Sequence, residues 1–184
     1  MKELSLHILD VAKNSVKAGA TLTEISVVTD NDGIMTVKIR DDGCGMTDEI
    51  LARVTDPFYT TRTTRKVGLG LPLFRMAAEQ TGGELKIVSS TEKGSSGTEV
   101  TVTFDTKSID CMPMGDIIST MCILIAGSPD IDFVFTDETA QRRVSIDTRE
   151  LKAVLGEGIS LAEPEIQTWM SEYLKEQYEN QTEI

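Results

Sequence analysis

Two β-rich runs, EISVVT over residues 24–29 and IMTVKI over residues 34–39, are separated only by Asp30, Asn31, Asp32 and Gly33. That spacing commits this stretch to an antiparallel hairpin. The alternating runs at 84–89 and 98–104, across a Gly/Ser-rich turn, predict a second one. Between and before the hairpins the periodicity changes. Leu4, Ile8, Val11 and Val16 recur at helical spacing ahead of Gly19, and residues 71–81 are helical up to Gly82 and Gly83. Thr47 is a good N-cap for a short helix reaching about Val54, and Asp56 to Lys66 is polar and aperiodic, the pattern of a mobile loop. Helices on one face of a mixed, mostly antiparallel sheet make a two-layer α+β sandwich.

Beyond Thr106 the character changes, so the expected division is a first domain over 1–106 and an appended α/β unit over 107–184, joined by a short linker. The second part holds an apolar helix near 117–126, a hairpin within 131–146 and two terminal helical stretches. The last of these is expected to carry Ile166, Trp169, Met170, Tyr173 and Leu174 on one face. That face either completes the core, the reading preferred here, or presents a docking surface.

A chain of 184 residues can bury a real core without disulfides, and its three cysteines, Cys44, Cys111 and Cys122, fit no zinc spacing. They are expected as buried small apolar residues, with Cys44 also a candidate for oxidation. The start has no basic segment followed by an apolar stretch, and no run approaches the ~20 apolar residues of a membrane helix. A cytoplasmic protein is expected. The net charge of −12 opposes binding to nucleic acid or anionic lipid, so an anionic ligand needs a local basic site.

The candidate chemistry falls in three places. On the first helix Asp10, Asn14 and Lys17 share a narrow arc at about 100° per residue, with His7 at its edge. A carboxylate, an amide oxygen and an ammonium together suit a metal–triphosphate, although a solvated polar face has the same pattern. Next, Asp41-Asp42-Gly43-Cys44-Gly45-Met46 follows a strand. Its glycines permit close backbone approach, and a carboxylate at the strand end can accept from an exocyclic amine. Third, Gly68-Leu69-Gly70-Leu71 leads into a helix N-terminus, where free N–H groups suit phosphate, just after a loop holding Arg62, Arg65 and Lys66. Neither the P-loop nor the dinucleotide fingerprint is present.

In order and spacing, HILDVAKNSVKAGAT, DDGCGM, DPFYTTR, VGLGL and GTEVTVTF resemble the N, G1, F, G2 and G3 boxes of the GHKL superfamily. That group unites gyrase, the heat-shock chaperone, histidine kinases and MutL. The resemblance covers about residues 5–105 and implies the Bergerat fold, binding ATP with Mg²⁺ beneath a flexible lid. It implies that Asn14 is the Mg²⁺ ligand, Lys17 a phosphate contact, Asp42 the adenine-reading carboxylate and Thr98 its supporting hydroxyl. Gly43, Gly45, Gly68 and Gly70 resemble the positions that admit the nucleotide, with Met46, Leu69, Leu71, Arg62 and Lys66 around it, and Phe58 resembles the lid anchor. Asp10 stands where the ATPase branches carry a water-activating glutamate, one methylene longer.

The lid and glycine boxes are closest to those of kinases, whereas KNSVKAGAT is closer to MutL. The implied function is that of a histidine-kinase-type catalytic domain in two-component signalling. No helical segment bearing a phosphoacceptor histidine precedes the domain, so the expected action is on a partner protein in trans. The alternatives are a serine kinase of the anti-sigma type and an ATPase or nucleotide-dependent switch that binds a partner without phosphotransfer; a homodimer is compatible with any of them. His7 is expected to have a packing role rather than to accept phosphate.

Overall fold

The computed structural model describes residues 2–56, 70–156 and 158–180. Helix α1 (Leu4–Lys17) turns its apolar stripe inward, burying Leu4, Ile8, Val11 and Ala12. The chain then forms the expected hairpin, β1 (Leu22–Thr29) and β2 (Ile34–Asp41). The Asp30 carboxylate shapes its turn by accepting from the Asp32 and Ile34 N–H groups at 3.0 and 2.8 Å. A four-residue helix, α2 (Asp48–Leu51), follows Thr47, whose hydroxyl accepts from the Ile50 N–H. Helix α3 (Gly70–Gln80) leads to the second hairpin, β3 (Leu85–Ser90) and β4 (Gly97–Asp105).

The C-terminal segment adds α4 (Ile117–Gly127), β5 (Asp132–Glu138), β6 (Arg143–Asp147), α5 (Thr148–Leu155) and α6 (Pro164–Glu179). Its strands continue the first sheet. The order is β3-β4-β2-β1-β5-β6, all neighbours antiparallel except β1 and β5, which run parallel from Leu22 opposite Asp132 to Val28 opposite Glu138. The fold is thus a two-layer α+β sandwich on a mixed, mostly antiparallel sheet.

Strand alternation shows which face is covered. Ile25 and Val27 on β1, Met35, Val37 and Ile39 on β2, Val100, Val102 and Phe104 on β4, and Phe133 and Phe135 on β5 are all buried in one core with the helices. The intervening residues, among them Glu24, Val28, Lys38 and Arg40, are exposed on the open face.

Two packing expectations differ from the structure. On α6 only Met170 and Leu174 are fully buried, while Trp169 and Tyr173 stack on each other at 46% and 38% exposure. Residues 166, 169, 170, 173 and 174 fan over about 140° of helix surface, wider than the contact an outer helix makes with α4 and β6. The cysteines are not buried either: Cys44 is exposed, Cys111 and Cys122 are partly so, and all three are free. Cys44 lies in a turn rather than on a core-facing strand position, which leaves its side chain in solvent.

Candidate functional site

A cavity of about 330 Å³ opens between α1, the start of α3 and the ends of β2 and β4. Asp10, Asn14 and Lys17 line it together, as their spacing on α1 requires, with Ser15 between them. Gly70 and Leu71 bring the N-terminus of α3 to the same cavity. A Cβ at Gly70 would run into the Asp10 carboxylate, so the glycine is what lets the carboxylate lie against this helix end. Gly45 and Met46 form another wall, Gly45 with φ +68° and packed so closely that a Cβ would strike the Ser90 carbonyl oxygen. Thr98 also lines the cavity, its hydroxyl 2.9 Å from that of Ser89, and Ile39, Ile50, Val54 and Val100 supply apolar surface.

The two adjacent aspartates part company. Asp41 faces the cavity: its carboxylate accepts from the Ser15 hydroxyl at 2.7 Å and from the Gly43 N–H at 2.9 Å, and it lies opposite Thr98 in the ladder. Asp42, the residue expected to read a base, does not line the cavity. It borders a second groove, which Asp41 also reaches, and accepts from the Thr21 N–H at 2.7 Å, the Leu22 N–H at 2.9 Å and the Thr21 hydroxyl. Although partial desolvation works the other way, those hydrogen bonds hold its carboxyl below the usual carboxylate range. The correction follows from strand parity. Met35, Val37 and Ile39 face inward, so Asp41 continues their side and Asp42 continues that of Lys38 and Arg40. Gly43 also lies off the cavity, packed against Ala18.

Asp41 and Ser15 are the polar residues that motif reasoning passed over. The period-two signal in residues 35–39 already pointed to Asp41. Phe58, Arg62, Arg65, Lys66, Gly68 and Leu69 lie outside the described residues.

The site therefore has two chemically different ends. Asp10 against the start of α3 marks one; Asp41, Thr98 and the apolar strand residues mark the other. Five residues along α1 separate Asp10 from Ser15, a rise of about 7.5 Å. On the same helix His7 is 1% exposed and stacks on Phe74 of α3, ring centroids 5.2 Å apart and 8° from parallel. Among the described residues neither of its nitrogens has a hydrogen-bond partner. Burial pushes its pKa down to about 4, so the packed ring is neutral.

Residues 2–108 match the family of histidine kinase-, DNA gyrase B- and HSP90-like ATPases. The chain belongs to this family. Its histidine-kinase-like ATPase domain is 34% identical over 96 residues to sporulation kinase C of Bacillus subtilis strain 168, covering 50% of this chain and 22% of that kinase. The C4-dicarboxylate transport sensor protein DctB of Pseudomonas aeruginosa is 37% identical over 97 residues, 51% of this chain and 16% of the sensor. The chain thus spans less than a quarter of either relative. At the level of fold it resembles the Aquifex aeolicus MutL ATPase domain, solved as a complex with ADP. The TM-score is 0.55 at 13% identity, over 93% of this chain and 69% of the other. Among the described residues no helix is long and apolar enough to cross a membrane.

Proposed function

We propose that this chain binds ATP with Mg²⁺ in the α1–α3 cavity and passes the γ-phosphoryl group to a partner protein in trans, as a kinase of histidine-kinase type. The observation that carries the reading is the two-ended cavity. The Asp41 carboxylate, set among Ile39, Val100 and Thr98, suits an adenine: the apolar walls take the ring, and a carboxylate oxygen accepts from its amine. At the other end Asn14 and Asp10 offer oxygens that would hold Mg²⁺ together with phosphate and water. Lys17 and the N-terminus of α3 suit the phosphates. The bound metal would neutralise phosphate charge; the chain's own residues orient the triphosphate and keep the base in place. Family membership and the ADP complex of the MutL domain support the nucleotide, and the sensor-kinase relatives support the transfer.

A second reading, hydrolysis that drives a nucleotide-dependent switch, is favoured by the position of Asp10 against the α3 N-terminus, where a carboxylate can serve as a base. Calorimetry with Mg·ATP tests the common core: binding in the micromolar to millimolar range is expected, and its absence in folded protein overturns both readings. Labelled ATP incubated with candidate partners then separates them, by label transferred to protein or by free phosphate alone.

A further inference from the structure

The β1–β2 ladder ends where Thr23 faces Asp41. One residue further on, the backbone link from the Asp42 N–H to the Leu22 carbonyl is stretched to 3.4 Å, too long to hold a strand end firmly. The Asp42 side chain takes over that task. Its Oδ1 accepts from two successive backbone N–H groups, those of Thr21 and Leu22, at 2.7 and 2.9 Å, and its Oδ2 accepts from the Thr21 hydroxyl. Thr21 is itself fixed, because its carbonyl accepts from the Asp132 N–H at 2.9 Å, where β5 begins beside β1. The turn that follows is tied down on the far side, with the Cys44 N–H donating to the Ala18 carbonyl at 2.9 Å. Directly before these two fastenings, as the last residue of β2, stands Asp41, whose carboxylate meets the Ser15 hydroxyl on the cavity side.

From this geometry we infer that Asp42 is a positioning residue: by bracing the end of β2 to Thr21 and Leu22, it aims the neighbouring Asp41 carboxylate into the cavity, and so sets selection for a base bearing an exocyclic amine. The inference rests on ATP being the ligand. It assigns Asp42 no contact with the nucleotide. The carboxylate is exposed and turned to the open face, and its effect passes through one backbone unit to Asp41.

The brace makes a prediction that direct base contact does not. In Asp42→Asn the amide oxygen can still accept both backbone N–H groups, and the amide nitrogen can donate to the Thr21 hydroxyl oxygen, so the brace survives. In Asp42→Ala it is lost. Affinities for Mg·ATP and for Mg·ITP, which carries a carbonyl in place of the adenine amine, are measured by calorimetry and competition on folded protein. The expected result is that Asp42→Ala weakens ATP roughly fivefold or more, the scale of one net hydrogen bond, and leaves ITP unchanged, while Asp42→Asn stays within about twofold of the unaltered chain for both. Thr21→Val, which removes only the hydroxyl, is expected to fall between them, and it carries the test should Asp42→Ala fail to fold.

Equal weakening of ATP and ITP in Asp42→Ala would mark a general loss of structure and overturn the inference. So would unchanged binding in that variant, or an Asp42→Asn variant as impaired as Asp42→Ala. If the unaltered chain bound no ATP, the proposed function would fall first, and this inference with it.

Discussion

Every described side chain that lines the cavity lies at or before Val100, and residues 109–180 contribute none, although Phe133 and Phe135 of the later segment are buried as deeply as Val37 and Val102 of the earlier one. The segment that matches the ATPase family lines the cavity, and the segment after it supplies 11 of the 27 buried residues of the shared core. β5 covers the β1 edge that the first hairpin leaves unpaired, and α4 packs beside α1, the helix bearing Asp10, Asn14 and Lys17. Chemical autonomy is therefore no guide to structural autonomy here.

Cutting the chain after residue 108 tests this most severely. The cut would remove Ile117, Met121, Leu124, Phe133, Phe135, Val144 and Ile146 from the core and strip β1 of its parallel neighbour. What matters for the remaining fragment is its own uncovered surface: each large apolar side chain of α1 and β1 that loses its cover forfeits up to about 1.5–3 kcal/mol, and a few such losses are comparable with the ~5–15 kcal/mol that holds a typical domain together. A fragment over 1–108 is expected to lack cooperative unfolding and nucleotide binding alike. A fragment that melts cooperatively and binds ATP would show that the two segments are separable.

Within the earlier segment the largest single-site effect is expected at Gly45. Alanine there must hold φ near +68° and place its Cβ against the Ser90 carbonyl oxygen, which belongs to the next hairpin. Backbone strain combined with a backbone clash predicts a loss of roughly 3 kcal/mol or more in urea unfolding, together with weaker nucleotide binding. Intact stability in Gly45→Ala would mean that the turn can shift away from β3.

What could be seen in the chain beforehand follows how local each signal is. α1 and both hairpins are written in short periodicities and turn residues, and they form close to where those signals place them. The parallel pairing of β1 with β5 joins residues about 110 apart, and no local pattern marks it. The two aspartates illustrate a signal that was present but not used. The motif made both plausible, and only the inward parity of Met35, Val37 and Ile39 separates Asp41 from Asp42. On α6 the same kind of periodicity overstated burial, because an outer helix with neighbours on one flank covers a narrower stripe than its apolar residues span.

The two segments should also differ in their response to acid. His7 in the earlier segment has its pKa pushed down by burial from 6.5 to about 4. The unfolded chain takes up a proton near pH 6.5 that the folded chain refuses until about pH 4. Stability linked to His7 is thus complete above 6.5 and drains as pH falls through that window, by up to about 3 kcal/mol. In the later segment, hydrogen bonds from Ser119 and Arg149 hold the carboxyls of Asp116 and Asp147 below the usual carboxylate range, so their contribution is lost only at lower pH. Urea unfolding at pH 7 and pH 4.5 should show a steep loss in the unaltered chain and a shallower one in His7→Phe, which keeps the stack on Phe74. Equal losses in both would place the acid response elsewhere.

The smallest effect expected is the most discriminating, because it touches stability without touching the cavity. Near the C-terminal end of α6 the Tyr178 hydroxyl donates to Asp137 Oδ2 at 2.6 Å, Arg142 donates to the same oxygen at 3.1 Å, and the Arg142 guanidinium lies 4.6 Å from the Tyr178 ring centre. One residue earlier, the Gln177 amide pairs with β6 by accepting from the Ser145 N–H at 2.9 Å and donating to its carbonyl at 3.0 Å. Burial, first, and the hydrogen bond to Asp137 push the Tyr178 pKa well up, so the hydroxyl remains a donor throughout the physiological range. Tyr178→Phe keeps the ring beneath Arg142 and removes one charge-assisted hydrogen bond from a carboxylate that is only 6% exposed, for an expected cost of about 1.5 kcal/mol. Arg142 still faces Asp137 in that variant, which keeps the cost from reaching that of a buried unpaired charge. ATP affinity measured well below the melting temperature should not move, since no atom of this cluster lines the cavity. A change in ATP affinity larger than about twofold would show that the edge of the sheet and the nucleotide end are coupled, and that the later segment does more than support.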